Sequence, residues 1–222
     1  MTKNVREIIT DVEELGSRCD EIDIKKQGTL VREITKALKD TIRGKNLKSL
    51  SAPAIGYKYR IFCLNFSDLE IKTFINPIII HAEEMQLARE TCICLPGKEY
   101  IRPRNPKIKV MYQNPTGKIL TSEFIGMSAV VFQHEMDHLD GLLLSDVGLE
   151  IDEQWDKASD EEKQEVIEAY LDSLDLKSKE LKQEIESDED LKQLSDAIDF
   201  MEKVQTGEVK LARMPVEKEK NE

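Results

Sequence analysis

Gln133-His134-Glu135-Met136-Asp137-His138-Leu139-Asp140-Gly141 holds two of the chain's three histidines, four residues apart, with a glutamate directly after the first. Residues four apart lie on one face of a helix, so His134 and His138 can grip one metal ion while Glu135 stands beside it to handle a proton. H-E-x-x-H at this spacing predicts a metallohydrolase. From Met127 to Leu139 the apolar residues follow helical spacing, and Gly141 stands where a left-handed C-terminal cap is expected. Ala129, Val130, Val131 and Phe132 are apolar nearly all round, which predicts a helix buried among strands. The bland alternative, a charged patch on an ordinary helix, loses because histidine is so scarce in this chain. His81, the third histidine, reads as a half-exposed strand end.

Two histidines do not complete a hydrolytic site, which usually takes three protein ligands and leaves one position open for water. The longer pattern H-E-x-x-H-x-x-G-x-x-H matches through Gly141 and then fails, since Leu144 stands where its last histidine would be. Asp146, Glu150 or Glu153 would give a site completed by a carboxylate, but nothing in their context singles one out. An upstream cysteine fits better. Cys19, Cys63, Cys92 and Cys94 are too few and too irregularly spaced for a disulfide framework, and no C-x-x-C pair occurs, so at least one is expected to have a chemical role.

The 222 residues suit one domain of about 150 residues with an appendage. Charge divides the chain in the same way. Residues 1–149 carry 20 acidic and 21 basic side chains, and residues 150–222 carry 24 acidic and 11 basic. The first stretch is the expected catalytic domain and the second an acidic helical extension. A net charge of -12 argues against nucleic-acid backbone or anionic lipid as the main partner. No apolar run spans a membrane, and the start lacks the apolar stretch of a signal peptide, so the cytoplasm is the expected compartment.

Helical patterns at Val5–Leu15 and Thr29–Ile42 precede strand-like runs at Arg60–Asn65 and Lys72–Ile80. Lys107–Tyr112 alternates, Asn114-Pro115-Thr116-Gly117 makes a turn, and Lys118–Phe124 returns, which predicts a hairpin. Beyond Glu150 two or three amphipathic helices are expected. Ser159 and Glu162 form a capping box, an apolar stripe runs from Leu176 to Met201, a break falls at Ser187–Asp190, and Pro215–Glu222 reads as frayed. The fold class is α+β, with mixed or antiparallel strands around a central H-E-x-x-H helix and a C-terminal helical extension.

Glu90-Thr91-Cys92-Ile93-Cys94-Leu95-Pro96-Gly97 resembles the second motif of the peptide deformylase family, E-G-C-L-S followed by Pro-Gly, and Gln133–Gly141 resembles its third, Q-H-E-x-D-H-L-x-G. Leu50-Ser51-Ala52-Pro53-Ala54-Ile55-Gly56 is similar to the first motif, G-x-G-L-A-A-P-Q-I-G, in degraded form. Arg102-Pro103-Arg104 stands where the family has a Pro-Arg step. The resemblance covers roughly residues 4–150.

It implies a metal-dependent enzyme that removes the formyl group from the initiator methionine of nascent peptides. Cys92, His134 and His138 would be the metal ligands, Fe(II) the favoured ion, and Zn(II) or nickel able to replace it. Glu135 would act as general base and acid, and the Ile93 backbone N–H as an oxyanion donor. Ala54, Gly56 and Arg104 are the expected substrate-binding residues. The family's second oxyanion donor is the glutamine of the first motif, and Ala54 stands in its place. Leu47 and Ser49 replace motif glycines, Ser51 an alanine, Thr91 the glycine before the ligand cysteine, and Cys94 a serine. Asn46, Ser49, Ser51 or Thr91 is expected to supply a substitute donor or to position a water. Glu90 and Gln133 either orient the ligands or make ordinary contacts, and Cys94 reads as packing or a redox liability. Two other function classes stay open: an enzyme acting on another N-acyl substrate, and a weakly active metal-binding protein with a regulatory role. The tail suggests a ribosome-proximal partner.

Overall fold

The computed structural model describes residues 4–65 and 70–187, with side chains as far as Asp175. It divides into two compact units between Ala158 and Ser159.

In the first unit, α1 (Val12–Leu15) is a single turn capped by Asp11, whose carboxylate accepts from the N–H groups of Glu13 and Glu14. α2 (Ile24–Lys45) is capped by Asp23 in the same way and stopped by Asn46 in the left-handed conformation. Its buried residues Val31, Ile34, Leu38, Thr41 and Ile42 follow three- and four-residue spacing, which gives the helix one apolar face. The helix predicted from Thr29 begins five residues earlier because Asp23 caps it there.

The helix predicted over Val5–Leu15 is found only in α1. Upstream, the backbone finds its partners on other elements: Asn4 N–H donates to Asp40, Arg6 N–H to Thr41 Oγ1, and Ile9 N–H to the Ala54 carbonyl at 3.0 Å. A short helix barely sustains itself in water, so these tertiary bonds decide the outcome.

Strands β1 (Ser49–Ser51), β2 (Ile61–Leu64) and β3 (Lys72–Glu83) follow, and a 3₁₀ turn, Pro53–Ile55, separates the first two. β4 (Gln86–Thr91) and β5 (Glu99–Arg104) come next, then the hairpin of β6 (Lys107–Gln113) and β7 (Ile119–Ile125). Five strands pair antiparallel in the order β1-β2-β3-β6-β7. The β4–β5 hairpin leaves that sheet and pairs with β8 (Leu149–Ile151) in a second one. The first unit therefore continues past residue 149.

The register assigns the faces of the larger sheet. Leu50 lies opposite Cys63, and both belong to the core built on α2 with Ile61 and Ile75. Ser49 lies opposite Leu64 and Ser51 opposite Phe62, so these four face the other way. Phe62, Leu64 and Phe74 form the second core with Phe132 of α3 (Met127–Leu139), the H-E-x-x-H helix. The Phe132 ring meets Phe62 at 4.9 Å, Phe124 at 4.9 Å and Phe74 at 5.3 Å between centroids. The sheet is thus packed between α2 and α3, as apolar patterning on both of its faces requires. After α3 the chain turns at Gly141, φ +72°, where a Cβ would stand 2.7 Å from the Gly16 carbonyl oxygen. Only glycine suits both the left-handed backbone and that close approach. α4 (Leu144–Val147) then leads into β8.

In the second unit, α5 (Asp160–Ser187) opens with the predicted capping box: Glu162 N–H donates to Ser159 Oγ at 3.2 Å and Ser159 N–H to Glu162 Oε2 at 2.8 Å. Asp160, Glu161 and Glu162 place negative charge in the first turn, where the helix dipole favours it. The stripe predicted over Leu176–Met201, the break at its middle and the end at Pro215–Glu222 lie outside the described side chains. No helix among the described residues is long and apolar enough to cross a membrane.

Phe132 is fully buried, so Phe132→Ala should lower the unfolding free energy by about 3–5 kcal/mol, read from the denaturant midpoint at unchanged slope. A loss no larger than that of an exposed-site alanine would show that the aromatic cluster does not anchor α3.

Candidate metal centre

The end of β4 meets one face of α3. Successive strand residues point to opposite sides, so Glu90 and Cys92 project together from the chain end toward the helix. His134 and His138, one turn apart, project from α3 with ring centroids 5.0 Å apart. Among the described residues, Cys92, His134 and His138 form a group whose candidate ligand atoms all lie within 4.8 Å of one another. The Cys92 sulfur is 3.2 Å from His138 Nε2 and accepts from the Cys94 N–H at 3.4 Å.

Glu90 fixes the first imidazole. Its Oε2 lies 2.9 Å from His134 Nδ1, so the other ring nitrogen is left to face the Cys92 sulfur. Arg104 grips the same carboxylate with two donors, Nε to Oε1 at 2.6 Å and Nη2 to Oε2 at 3.0 Å. Its third nitrogen, Nη1, reaches Asp137 Oδ2 at 2.7 Å, and Asp137 also accepts from Arg102. Asp137 lies three residues beyond His134, so the network returns to α3. Gln133 clamps the helix to the end of β5, accepting from Asn105 N–H at 3.1 Å and donating to the Asn105 carbonyl at 2.8 Å.

The charges follow from these contacts. Burial opposes ionisation of Glu90, but hydrogen bonds from His134 and Arg104 outweigh it and hold the carboxyl down at about 2. The Cys94 thiol, followed by the two histidines, favours the Cys92 thiolate and holds it far below the usual thiol range. The same hydrogen bond pushes Cys94 up. Burial, only partly offset by the Thr73 hydroxyl beside Cys63 and by Arg60 near Cys19, pushes Cys63 up to about 12 and Cys19 to about 11, so both are inert packing thiols.

A cavity of about 320 Å³ opens beside the three ligand atoms. Ala54, Ile93 and Glu135 line it, with Leu47, Val130 and Val131 as apolar wall. Four buried side-chain polar atoms among the described residues lack a hydrogen-bond partner. Three of them, Glu135 Oε2, His138 Nδ1 and Ser51 Oγ, belong to residues of this cavity; the fourth, Thr35 Oγ1, sits on α2. Buried polar groups are rarely left unpaired, and such a concentration marks a place that receives polar ligands. One sulfur and two imidazole nitrogens, with a free carboxylate oxygen in the same cavity, suit a divalent transition metal and a polar substrate.

The sequence expectations separate here. The structure brings together Cys92, His134, Glu135 and His138, and places Ala54 and Ile93 in the cavity wall. It does not bring in Gly56, which is exposed beyond the 3₁₀ turn with φ +88°. Nor does it offer Arg104 to a substrate: that side chain is 3% exposed and all three of its nitrogens face Glu90 and Asp137. Two carboxylates within reach outcompete a neutral carbonyl for a guanidinium. His81 stays outside, exposed, beside Glu83. Asp137 escaped the sequence reading. The signal was available, because Asp137 lies three positions from His134 on the same helix.

The sequence matches the polypeptide deformylase family over residues 5–153. It is 36% identical over 115 residues to the peptide deformylase of Pseudothermotoga lettingae, covering 51% of this chain and 66% of that relative. The match to the peptide deformylase of Thermotoga neapolitana, 38% over 98 residues, spans 59% of that relative. Against the peptide deformylase of Dictyoglomus turgidum it is 30% identical over 146 residues, 64% of this chain and 95% of the relative. The crystal structure of peptide deformylase from Thermotoga maritima superposes with a TM-score of 0.59 at 30% identity, covering 64% of this chain and 96% of that one. The α+β arrangement of the first unit is therefore the fold seen in that crystal structure, and the chain belongs to the polypeptide deformylase family.

Proposed function

We propose that this protein hydrolyses the formyl amide of N-formylmethionine at the start of nascent peptides, releasing formate and a free amine. The carrying observation is one cavity that unites three ligand atoms within 4.8 Å with the unpartnered carboxylate oxygen of Glu135. Cys92, His134 and His138 hold the ion, and their thiolate and imidazole donors favour Fe(II), with Zn(II) as the alternative. When bound, the ion acidifies water and polarises the formyl oxygen.

The chain's own groups do the rest. Glu135, 4% exposed and with one carboxylate oxygen free, accepts the proton of the attacking water and delivers it to the departing amine. The Ile93 backbone N–H follows Cys92 directly and donates to the oxygen that gains charge. Leu47, Met127, Val130 and Val131 give the cavity an apolar wall that accepts an unbranched thioether side chain and excludes water from the reacting bond. Glu90 holds His134 in the orientation that presents Nε2, and Arg104 holds Glu90. Such a substrate implies action in the cytoplasm, close to translating ribosomes. The first unit, which runs through β8 to Ala158 and so past the boundary expected at residue 149, carries this chemistry in our reading, with an acidic extension after it.

The test is formate release from formyl-Met-Ala-Ser by protein reconstituted anaerobically with iron, since oxidation of the ion or of Cys92 would mimic an inactive enzyme. Chelation should abolish turnover and iron restore it. Glu135→Gln should keep one metal per chain while losing about 100- to 10,000-fold in kcat, the usual worth of a positioned proton carrier. Turnover by Glu135→Gln equal to the parent's would remove Glu135 from the mechanism.

Glu90→Gln should act on the metal instead, weakening its affinity about 10- to 100-fold in chelator competition, because an imidazole that loses its orienting carboxylate binds less well. An unchanged affinity would show that α3 alone orients His134.

A further inference from the structure

We propose that the Ser51 hydroxyl is the catalytic hydrogen-bond donor to the formyl oxygen as that oxygen gains negative charge. The inference rests on the deformylase reading and names a residue of this chain that performs one of its steps.

Ser51 is placed by register. It lies opposite Phe62 at the end of β1, and directly opposed residues share a face of the sheet. The Phe62 ring packs edge-on against Phe132 of α3, 4.9 Å between centroids. Phe132 and Glu135 are three apart and share a face of that helix. The Ser51 side chain therefore stands on the α3 side of the sheet, and Ser51 and Glu135 line one cavity.

Its hydroxyl is spare. Ser51 is 1% exposed and its Oγ has no hydrogen-bond partner. A buried hydroxyl without a partner is rare in a folded protein unless something else completes its hydrogen bonding. The same cavity holds the other free oxygen, Glu135 Oε2, which handles the proton of the same reaction. The competing donors fit less well. Asn46 is the left-handed cap of α2 and not part of the cavity wall, and Thr91 is exposed. Ser49 and Thr91 line the cavity too, but neither hydroxyl is a buried atom left without a partner. Ala54 presents a methyl group to the cavity, and Pro53 before it has no N–H.

A donor aimed at developing charge works more strongly in the transition state than in the bound substrate, so its loss appears in kcat and not in KM. In metal-loaded protein acting on formyl-Met-Ala-Ser, Ser51→Ala should lower kcat about 100-fold, with KM within about twofold. Ser51→Thr keeps the hydroxyl and should recover most of that loss. A kcat for Ser51→Ala within about threefold of the parent, or equal losses in the alanine and threonine variants, would overturn the assignment. Metal content of one per chain in both variants confirms that the site is intact.

Binding gives a second readout that needs no turnover. A peptidyl hydroxamate carries a carbonyl oxygen where the reacting oxygen sits, and the amine product Met-Ala-Ser carries none there. Ser51→Ala should weaken the hydroxamate about 10-fold or more and leave Met-Ala-Ser unchanged. Equal effects on both ligands, or none on either, would overturn the proposal. If the parent protein released no formate yet bound the hydroxamate in a Ser51-dependent way, the deformylase reading and the catalytic role would fall, and Ser51 would be a donor to a bound carbonyl oxygen only. If the parent released formate and Ser51→Ala matched it, the deformylase reading would stand and the donor assignment would fall.

Discussion

A carboxylate buried between a guanidinium and an imidazole joins the smaller sheet to the helix that carries the site. Glu90 is 5% exposed at its side chain, and Arg104, facing it, is 3% exposed. Charges taken this far out of water pay heavily unless their lone pairs and protons are satisfied. Here they are: both Glu90 oxygens are occupied and all three Arg104 nitrogens are used, the last by Asp137 of α3. The network closes on itself, from β4 through β5 to α3 and back to β4 through His134. Removing any one member strands a charge in a low-dielectric setting, which is why the arrangement fixes the helix against the strand so firmly.

Charge bookkeeping separates this support from the reacting groups. Arg102 and Arg104 pair with Glu90 and Asp137, and Glu90 also holds His134. What remains around the cavity is the Cys92 sulfur, held as a thiolate, and the Glu135 carboxyl group, whose Oε2 has no hydrogen-bond partner. Glu135 Oε2 fits this division, a polar atom for which the protein itself supplies no partner, whereas His138 presents Nε2 to Cys92 and leaves its other ring nitrogen, Nδ1, without one. The support of His134 is complete while the Glu135 oxygen stays open, the division expected of a site that must be rigid and still bind something.

Much of this was legible in the sequence because the signals were local. The α3 limits, the β6–β7 hairpin and the Ser159 capping box depend on residues within a few positions of one another, and periodicity or turn chemistry is enough to find them. The grouping of Cys92, His134 and His138 was legible from H-E-x-x-H and from the resemblance around Cys92. What escaped depends on partners far apart in the chain. The Val5–Leu15 pattern reads as a helix, yet upstream of α1 the Arg6 N–H is taken by Thr41 and the Ile9 N–H by the Ala54 carbonyl. Arg104 reads as a surface or substrate-facing cation until β5 is seen to place it against Glu90. Nothing in the local sequence of Ser51 distinguishes a solvated hydroxyl from a buried, unpartnered one; only the pairing with Phe62 does.

The two sides of the cavity face different geometric demands, and the sequence departs from the family motifs accordingly. A metal ion needs three donor atoms fixed relative to one another, so in the proposed role Cys92, His134 and His138 would have few substitutes in kind or place. An oxyanion needs only a polar hydrogen within reach of one point, and a side chain can approach that point from more than one backbone position. Where the motif that this segment resembles has glutamine, the chain has Ala54, and three residues earlier it carries the hydroxyl of Ser51 on a strand end that faces α3. A change of this kind leaves the ligand set untouched because β1 and the 3₁₀ turn after it contribute no metal donor. The tolerance of a donor for its point of origin, set against the intolerance of a coordination shell, explains how one wall can diverge while the other stays intact.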